Sequence, residues 1–150
     1  MHTSQYFSPE LVLFINATTR NDVLRQMVHH VHCKGKLSDE DAFYRAIIER
    51  EKIVSTGVGM GVAIPHAKLA EYNQFFIALG ILYKPVDWQA LDDAPVRLIF
   101  MIGGPDDKPT EYLQLLSYLT KTIKDEDLRK KLLTTDKPDE IIALFNSNFG

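Results

Sequence analysis

The chain has one cysteine, Cys33, in 150 residues. An internal disulfide framework is therefore excluded, and a reducing compartment, the cytoplasm, is the expected setting. A lone thiol is most often a small buried hydrophobe, which is the expectation for Cys33. No apolar stretch approaches the roughly 20 residues that a membrane-spanning helix needs. The opening "MHTSQYFSPE" also lacks a charged start followed by an apolar signal core, so direct membrane insertion is not expected. Basic charge is in short supply: 17 Lys and Arg stand against 20 Asp and Glu, for a net charge of −3. That balance gives no general attraction to nucleic acid, which needs a basic face able to displace counterions from phosphates. Repeats, low-complexity tracts and Pro/Gly/Ser-rich linkers are missing too, so residues 1–150 are expected to form one domain.

What is present suits a folded domain. Hydrophobic residues make up 45% and charged residues 25%, close to the average soluble protein. A chain of this length buries roughly two-thirds of its unfolded surface. "LVLFIN" (11–16) has the length of a strand, and "TRNDVLRQMVHHVHCKG" places Val23, Met27 and Val31 at helical spacing before Gly35, a good helix stop. Ser38 with Asp41 three residues on forms a capping pattern for a second helix, with Phe43 and Ile47 on its buried stripe and its end around Arg50 to Lys52. "FFIALGIL" (75–82) and "VRLIFMI" (96–102) are continuously apolar, as in central strands covered on both faces. Pro109 and Thr110 open a further helix, with Thr110 as the expected N-cap and Leu113, Leu116 and Leu119 or Thr120 on its stripe. "DEDLRKKLL" and "PDEIIALF" read as two short helices. The expected fold class is α/β: a single layered domain, a central mixed β-sheet flanked by helices on both faces.

The stretch "STGVGMGVAIPHAK" (55–68) carries the chemistry. Gly57, Gly59 and Gly61 alternate, but no Gly-Lys-Ser/Thr follows, so this is not a P-loop, and the spacing is not that of a dinucleotide fingerprint. Pro65 removes a ladder donor and fixes φ, so the strand is expected to end there and present His66 at its tip. An imidazole at a strand end in an α/β domain is placed either to cap backbone at the rim of the core or to react. The residue pattern leaves both open. A Gly-x-Ser-x-Gly elbow is absent, and the paired Asp residues of "DDAPV" and "PDDKP" sit in Pro-bearing turns, so neither a hydrolase triad nor a carboxylate pair is assigned.

"TGVGMGVAIPHA" resembles the active-site signature of the fructose/mannitol-class enzyme IIA domains of the bacterial phosphoenolpyruvate-dependent phosphotransferase system, a class that includes the nitrogen-regulatory enzyme IIA proteins. The similarity extends through "AFYRAIIERE", "VDWQALDDAPV" and "EYLQLLSYL", nearly the whole chain. It implies a phosphotransferase component in which His66 accepts a phosphoryl group from the phosphohistidine of an HPr-type phosphocarrier protein. The group then passes to the cysteine of an enzyme IIB domain, or serves as a regulatory state read by a target protein. No cofactor or metal is implied. Arg50 matches the arginine that the family places beside its active histidine, and a guanidinium can fork two bonds onto phosphate oxygens. Thr56 and Ser55 are candidate hydroxyl donors to the phosphate or to the unreacted ring nitrogen, and the backbone from Gly59 to Gly61 offers N–H groups.

One position departs from the family pattern. Where members commonly carry a second histidine facing the first, this chain has Tyr112, which can donate one hydrogen bond but carries no positive charge at neutral pH. Either transfer persists with a neutral donor, or the chain is a degenerate regulatory or binding module. The rival from another class is a metal-binding module on His29 and His32, three apart on one helix face. The length of the chain and the residues before His66 favour the regulatory type over a sugar-specific subunit. Phe7, Met60, Leu69 and Tyr72 are the candidates for an apolar partner-docking rim.

Overall fold

The computed structural model describes residues 6–149, with side chains to Phe145. After a 3-10 turn at Pro9–Leu11 the elements run β1 (Val12–Ile15), α1 (Arg20–Cys33), α2 (Glu40–Ile53), β2 (Gly57–Gly59), β3 (Val62–Ala63), β4 (His66–Lys68), β5 (Phe76–Val86), β6 (Val96–Gly104), α3 (Pro109–Ile123), α4 (Glu126–Thr134) and α5 (Pro138–Phe149). The six strands form one mixed sheet in the order β1-β5-β6-β3-β2, with β4 also paired to β6. The long β5 and β6 run antiparallel at the centre, while β1 on β5 and both β3 and β4 on β6 are parallel.

The continuously apolar runs become the central strands because both faces are covered. Ile77, Leu79 and Ile81 with Leu98, Phe100 and Ile102 pack on one face with Leu115, Leu119, Ile141 and Phe145 of α3 and α5. Phe76, Ala78 and Leu82 with Ile99 and Met101 face the other way, against Leu24, Met27, Phe43 and Ile47 of α1 and α2. Alternation of side chains along each strand divides the residues between two cores.

Several local expectations are corrected. Asp39, not Ser38, caps α2, its carboxylate accepting the Ala42 N–H at 3.0 Å; an anion gains more than a hydroxyl from the helix dipole. At α3 the N-cap is Lys108, whose side chain makes no capping bond, and Thr110 lies inside the helix behind Pro109. The buried face of α3 is Tyr112, Leu115 and Leu119, whereas Leu113 is 63% exposed; both sets have helical spacing, and only packing on the sheet distinguishes them. Cys33 is exposed at the last position of α1, outside the Val23, Met27 and Val31 stripe.

Pro65 interrupts the strand without ending it. β3 pairs with β6 at Val62 and Ala63, and pairing resumes at His66 opposite Ile102. The Pro65 carbonyl still accepts the Ile102 N–H at 2.9 Å, so only the donor side of the ladder is lost. His66 therefore opens β4 rather than hanging from a strand tip. The glycine stretch upstream builds the β2–β3 hairpin, whose turn holds Gly59, Met60 and Gly61 at φ of 96°, 60° and 74°. Two of those three left-handed positions are glycine, which adopts such backbone without a Cβ clash.

Candidate functional site

The last turn of α2 and the loop after it are bound together by a buried carboxylate. Glu51 is 3% exposed and accepts the backbone N–H of Thr56 at 3.1 Å, the Thr56 hydroxyl, and the indole N–H of Trp88 at 3.2 Å. Arg20, from the start of α1, brings its guanidinium to 4.0 Å. A buried carboxylate persists only where such donors replace its water. This anchoring fixes the end of α2, and hence Arg50, against the strand that carries His66.

Arg50 donates from Nε to His66 Nε2 at 3.2 Å and from Nη1 to the Val54 carbonyl at 2.8 Å. On the other side of the ring, His66 Nδ1 lies 3.1 Å from the Ile64 carbonyl oxygen. A carbonyl only accepts and a guanidinium only donates, so the ring is neutral, with its proton on Nδ1 and its lone pair on Nε2 facing Arg50. Burial holds the His66 pKa below its usual 6.5. The Ile64 hydrogen bond opposes that shift, the Arg50 and Lys68 charges reinforce it, and Glu51 opposes it. The imidazole is thus kept neutral at neutral pH, with a lone pair on Nε2.

The opposite wall is aromatic. Tyr112 of α3 faces His66 with ring centroids 5.8 Å apart, and Phe75 stacks on Tyr112 at 5.9 Å. Phe75 comes this close because a Cβ at Gly104, the last residue of β6, would overlap its ring. Burial pushes the Tyr112 hydroxyl up to about 12, with Arg50 pulling the other way, so it stays a neutral phenol. Lys68, two residues after His66 on β4 and therefore on the same side of the strand, sets its Nζ 4.3 Å from the centre of the Tyr112 ring.

The structure thus brings Arg50, His66 and Tyr112 together. Ser55 and Thr56 lie nearby with their hydroxyl protons turned elsewhere: Ser55 donates to the Trp88 carbonyl at 2.7 Å, and Thr56 donates to Glu51. The Gly59–Gly61 turn lies beyond β3 from His66, and its Met60 N–H donates to Asp92. Of the expected rim, Phe7 is core, stacked on Phe145 at 4.5 Å, and Met60 is at that distant turn. Leu69 and Tyr72 pack against the α1/α2 core. The exposed apolar residues next to the site are Ile53, Val54 and Leu113, at 78%, 50% and 63%.

Sequence reasoning missed Lys68 and Glu51. The two-residue period from His66 pointed to Lys68, whereas Glu51 was hidden in a run of charges that reads as a solvated helix end. The His29 ring bonds Glu40 at 3.0 Å and His32 bonds the Leu37 carbonyl at 3.2 Å. Among the described residues no group of three or more His, Cys, Asp or Glu side chains is placed to hold a metal ion. A cavity of about 590 Å³ lies between the 6–11 segment and the 71–76 loop, and His66 is not among the residues that line it; the His66 side chain is half-buried.

Residues 5–148 match the family model described as "Phosphoenolpyruvate-dependent sugar phosphotransferase system, EIIA 2". The chain is 38% identical over 136 residues, 91% of its length, to the PTS system fructose-specific EIIABC component of Bacillus subtilis, of which it spans 21%. It is 37% identical over 107 residues to the PTS system fructose-specific EIIA component of Haloferax volcanii, covering 71% of this chain and 70% of that one. The crystal structure of the nitrogen regulatory protein IIA-Ntr from Neisseria meningitidis superposes with a TM-score of 0.88 at 27% identity, over 94% of this chain and 97% of that one. No described helix is long and apolar enough to cross a membrane. With the whole of its described sheet and the arginine-flanked histidine inside the matched span, the chain belongs to the EIIA 2 family of the phosphoenolpyruvate-dependent sugar phosphotransferase system.

Proposed function

We propose that His66 Nε2 is the phosphoryl acceptor of a phosphocarrier domain working in the cytoplasm, and that its donor is the phosphohistidine of an HPr-type carrier. The observation that carries this is the lone pair of Nε2 facing the Arg50 guanidinium while Nδ1–H is held by Ile64. In the transfer, Nε2 forms a bond to phosphorus as the donor's P–N bond breaks, and the electron pair of that bond leaves with the donor imidazole. The proton stays on Nδ1, donated to the Ile64 carbonyl, which supports the positive charge that the ring acquires. Arg50 marks where the group arrives: its Nε–H gives up the lone pair and follows the equatorial oxygens, a positioning and charge-balancing role. A half-buried rather than enclosed imidazole suits a donor and an acceptor that are both proteins.

The phosphorylated domain then either passes the group to an enzyme IIB cysteine or acts as a regulatory state. Likeness to the Neisseria regulatory protein across nearly the whole of both chains supports the regulatory use, and identity with fructose-specific relatives supports the transport use. Incubation with phosphoenolpyruvate, enzyme I and HPr, of the sugar or the nitrogen branch, tests the reading. The expected result is an acid-labile, base-stable phosphate that is absent in His66→Ala, and chase onto an isolated IIB domain separates the two uses. Wild-type protein that takes no label from any carrier sinks the proposal.

A further inference from the structure

We infer that Lys68 is a second phosphoryl-binding cation, parked on the face of Tyr112 in the resting protein and moving onto a phosphoryl oxygen when His66 is modified; this rests on His66 being the acceptor. A phosphoryl group brings about −1.5 to −2 charge, and Arg50 supplies a single positive charge. Glu51, buried one residue away, adds a negative charge on the same side. The remaining charge has to be balanced, and Lys68 is the other cation whose field reaches His66.

Its placement suits the task. Lys68 shares the strand and the side of His66, and its Nζ lies against the Tyr112 ring, whose own centre is 5.8 Å from the His66 ring. A group on Nε2 projects toward Arg50, and the flexible four-carbon stem of Lys68 lets its ammonium leave the ring for a new partner. Lys68 is itself exposed, so its hold on the ring is weak, whereas a charge-assisted hydrogen bond to phosphate is about twice as strong as a neutral one. The ammonium therefore exchanges ring for oxygen at a net gain. Tyr112 acts here through its π face, so its hydroxyl is dispensable to Lys68.

Phosphoramidate, a small chemical donor to histidine, separates this inference from the need for a carrier protein. Uptake on His66 and its subsequent hydrolysis are followed by ³¹P NMR in wild type, Lys68→Gln and Lys68→Arg, with fold checked by amide spectra and His66→Ala as the blank. Loss of a charge-assisted bond predicts uptake about tenfold slower in Lys68→Gln, with Lys68→Arg within about threefold of wild type. Lys68→Gln matching wild type, or Lys68→Arg no better than Lys68→Gln, overturns the inference, as does wild type taking no phosphoryl group from phosphoramidate. Uptake from phosphoramidate but from no carrier leaves the Lys68 comparison standing and counts against the carrier reading alone.

Discussion

His66 has two unlike neighbours. On the α2 side, Arg50 donates to His66 and to the Val54 carbonyl, and its neighbour Glu51 is bonded separately to Thr56 and Trp88 in the core. On the α3 side, Tyr112 and Phe75 pack ring against ring, and Lys68 rests on the outer face. The first side fixes the tautomer and aim of the imidazole before any group arrives. The second is built from ring contacts rather than directional bonds, which, on the proposed function, suits a wall that admits a phosphoryl group and later releases it.

The contrast is tested most severely on its rigid side. Arg50→Ala removes the donor preset on Nε2, and uptake from the carrier is expected to slow by about 10²-fold, the scale of losing one preorganised donor. The same variant sharpens the electrostatic account. The wild-type His66 midpoint lies below 6.5, mainly through burial, so uptake falls only as pH drops through that lowered midpoint. Without the neighbouring guanidinium the midpoint, followed by NMR of the ring protons, moves back up.

Glu51→Ala comes next. It strands the Thr56 amide and one bond of the Trp88 indole inside the protein, for a loss of about 3 kcal/mol in denaturant unfolding. Glu51→Gln, which keeps an acceptor oxygen, is expected to lose about half of that. The smallest effect concerns pH and stability. Between the lowered midpoint and 6.5 the unfolded chain binds more protons at this histidine than the folded one, so stability rises with pH through that window. A His66→Gln variant flattens the rise there; an unchanged slope would place the burial cost of that imidazole elsewhere.

Much of this was legible in the sequence, for reasons that differ by residue. "FFIALGIL" and "VRLIFMI" announced doubly covered strands because apolar residues at every position leave no wet face. "VAIPH" announced an imidazole beside a broken ladder, and the motif around it drew Arg50 to the same place. The hairpin in "GVGMGV" was not visible, because glycines alternating with apolar residues fit a turn and a ligand loop equally. Glu51 was hidden for a different reason. A carboxylate among the charges of "IEREK" reads as solvated, and its burial depends on a tryptophan 37 residues away. Leu113 and Tyr112 are neighbours on α3, and one residue decides which faces the sheet, a choice made by packing rather than by periodicity.

The central claim is that His66 is prepared as a nucleophile at one particular nitrogen. Phosphorylating ring-¹⁵N-labelled protein through enzyme I and HPr, then reading the nitrogen–phosphorus coupling, assigns the bond directly. The account predicts phosphorus on Nε2, with the proton still on Nδ1 and donated to the Ile64 carbonyl. Phosphorus on Nδ1 would contradict it.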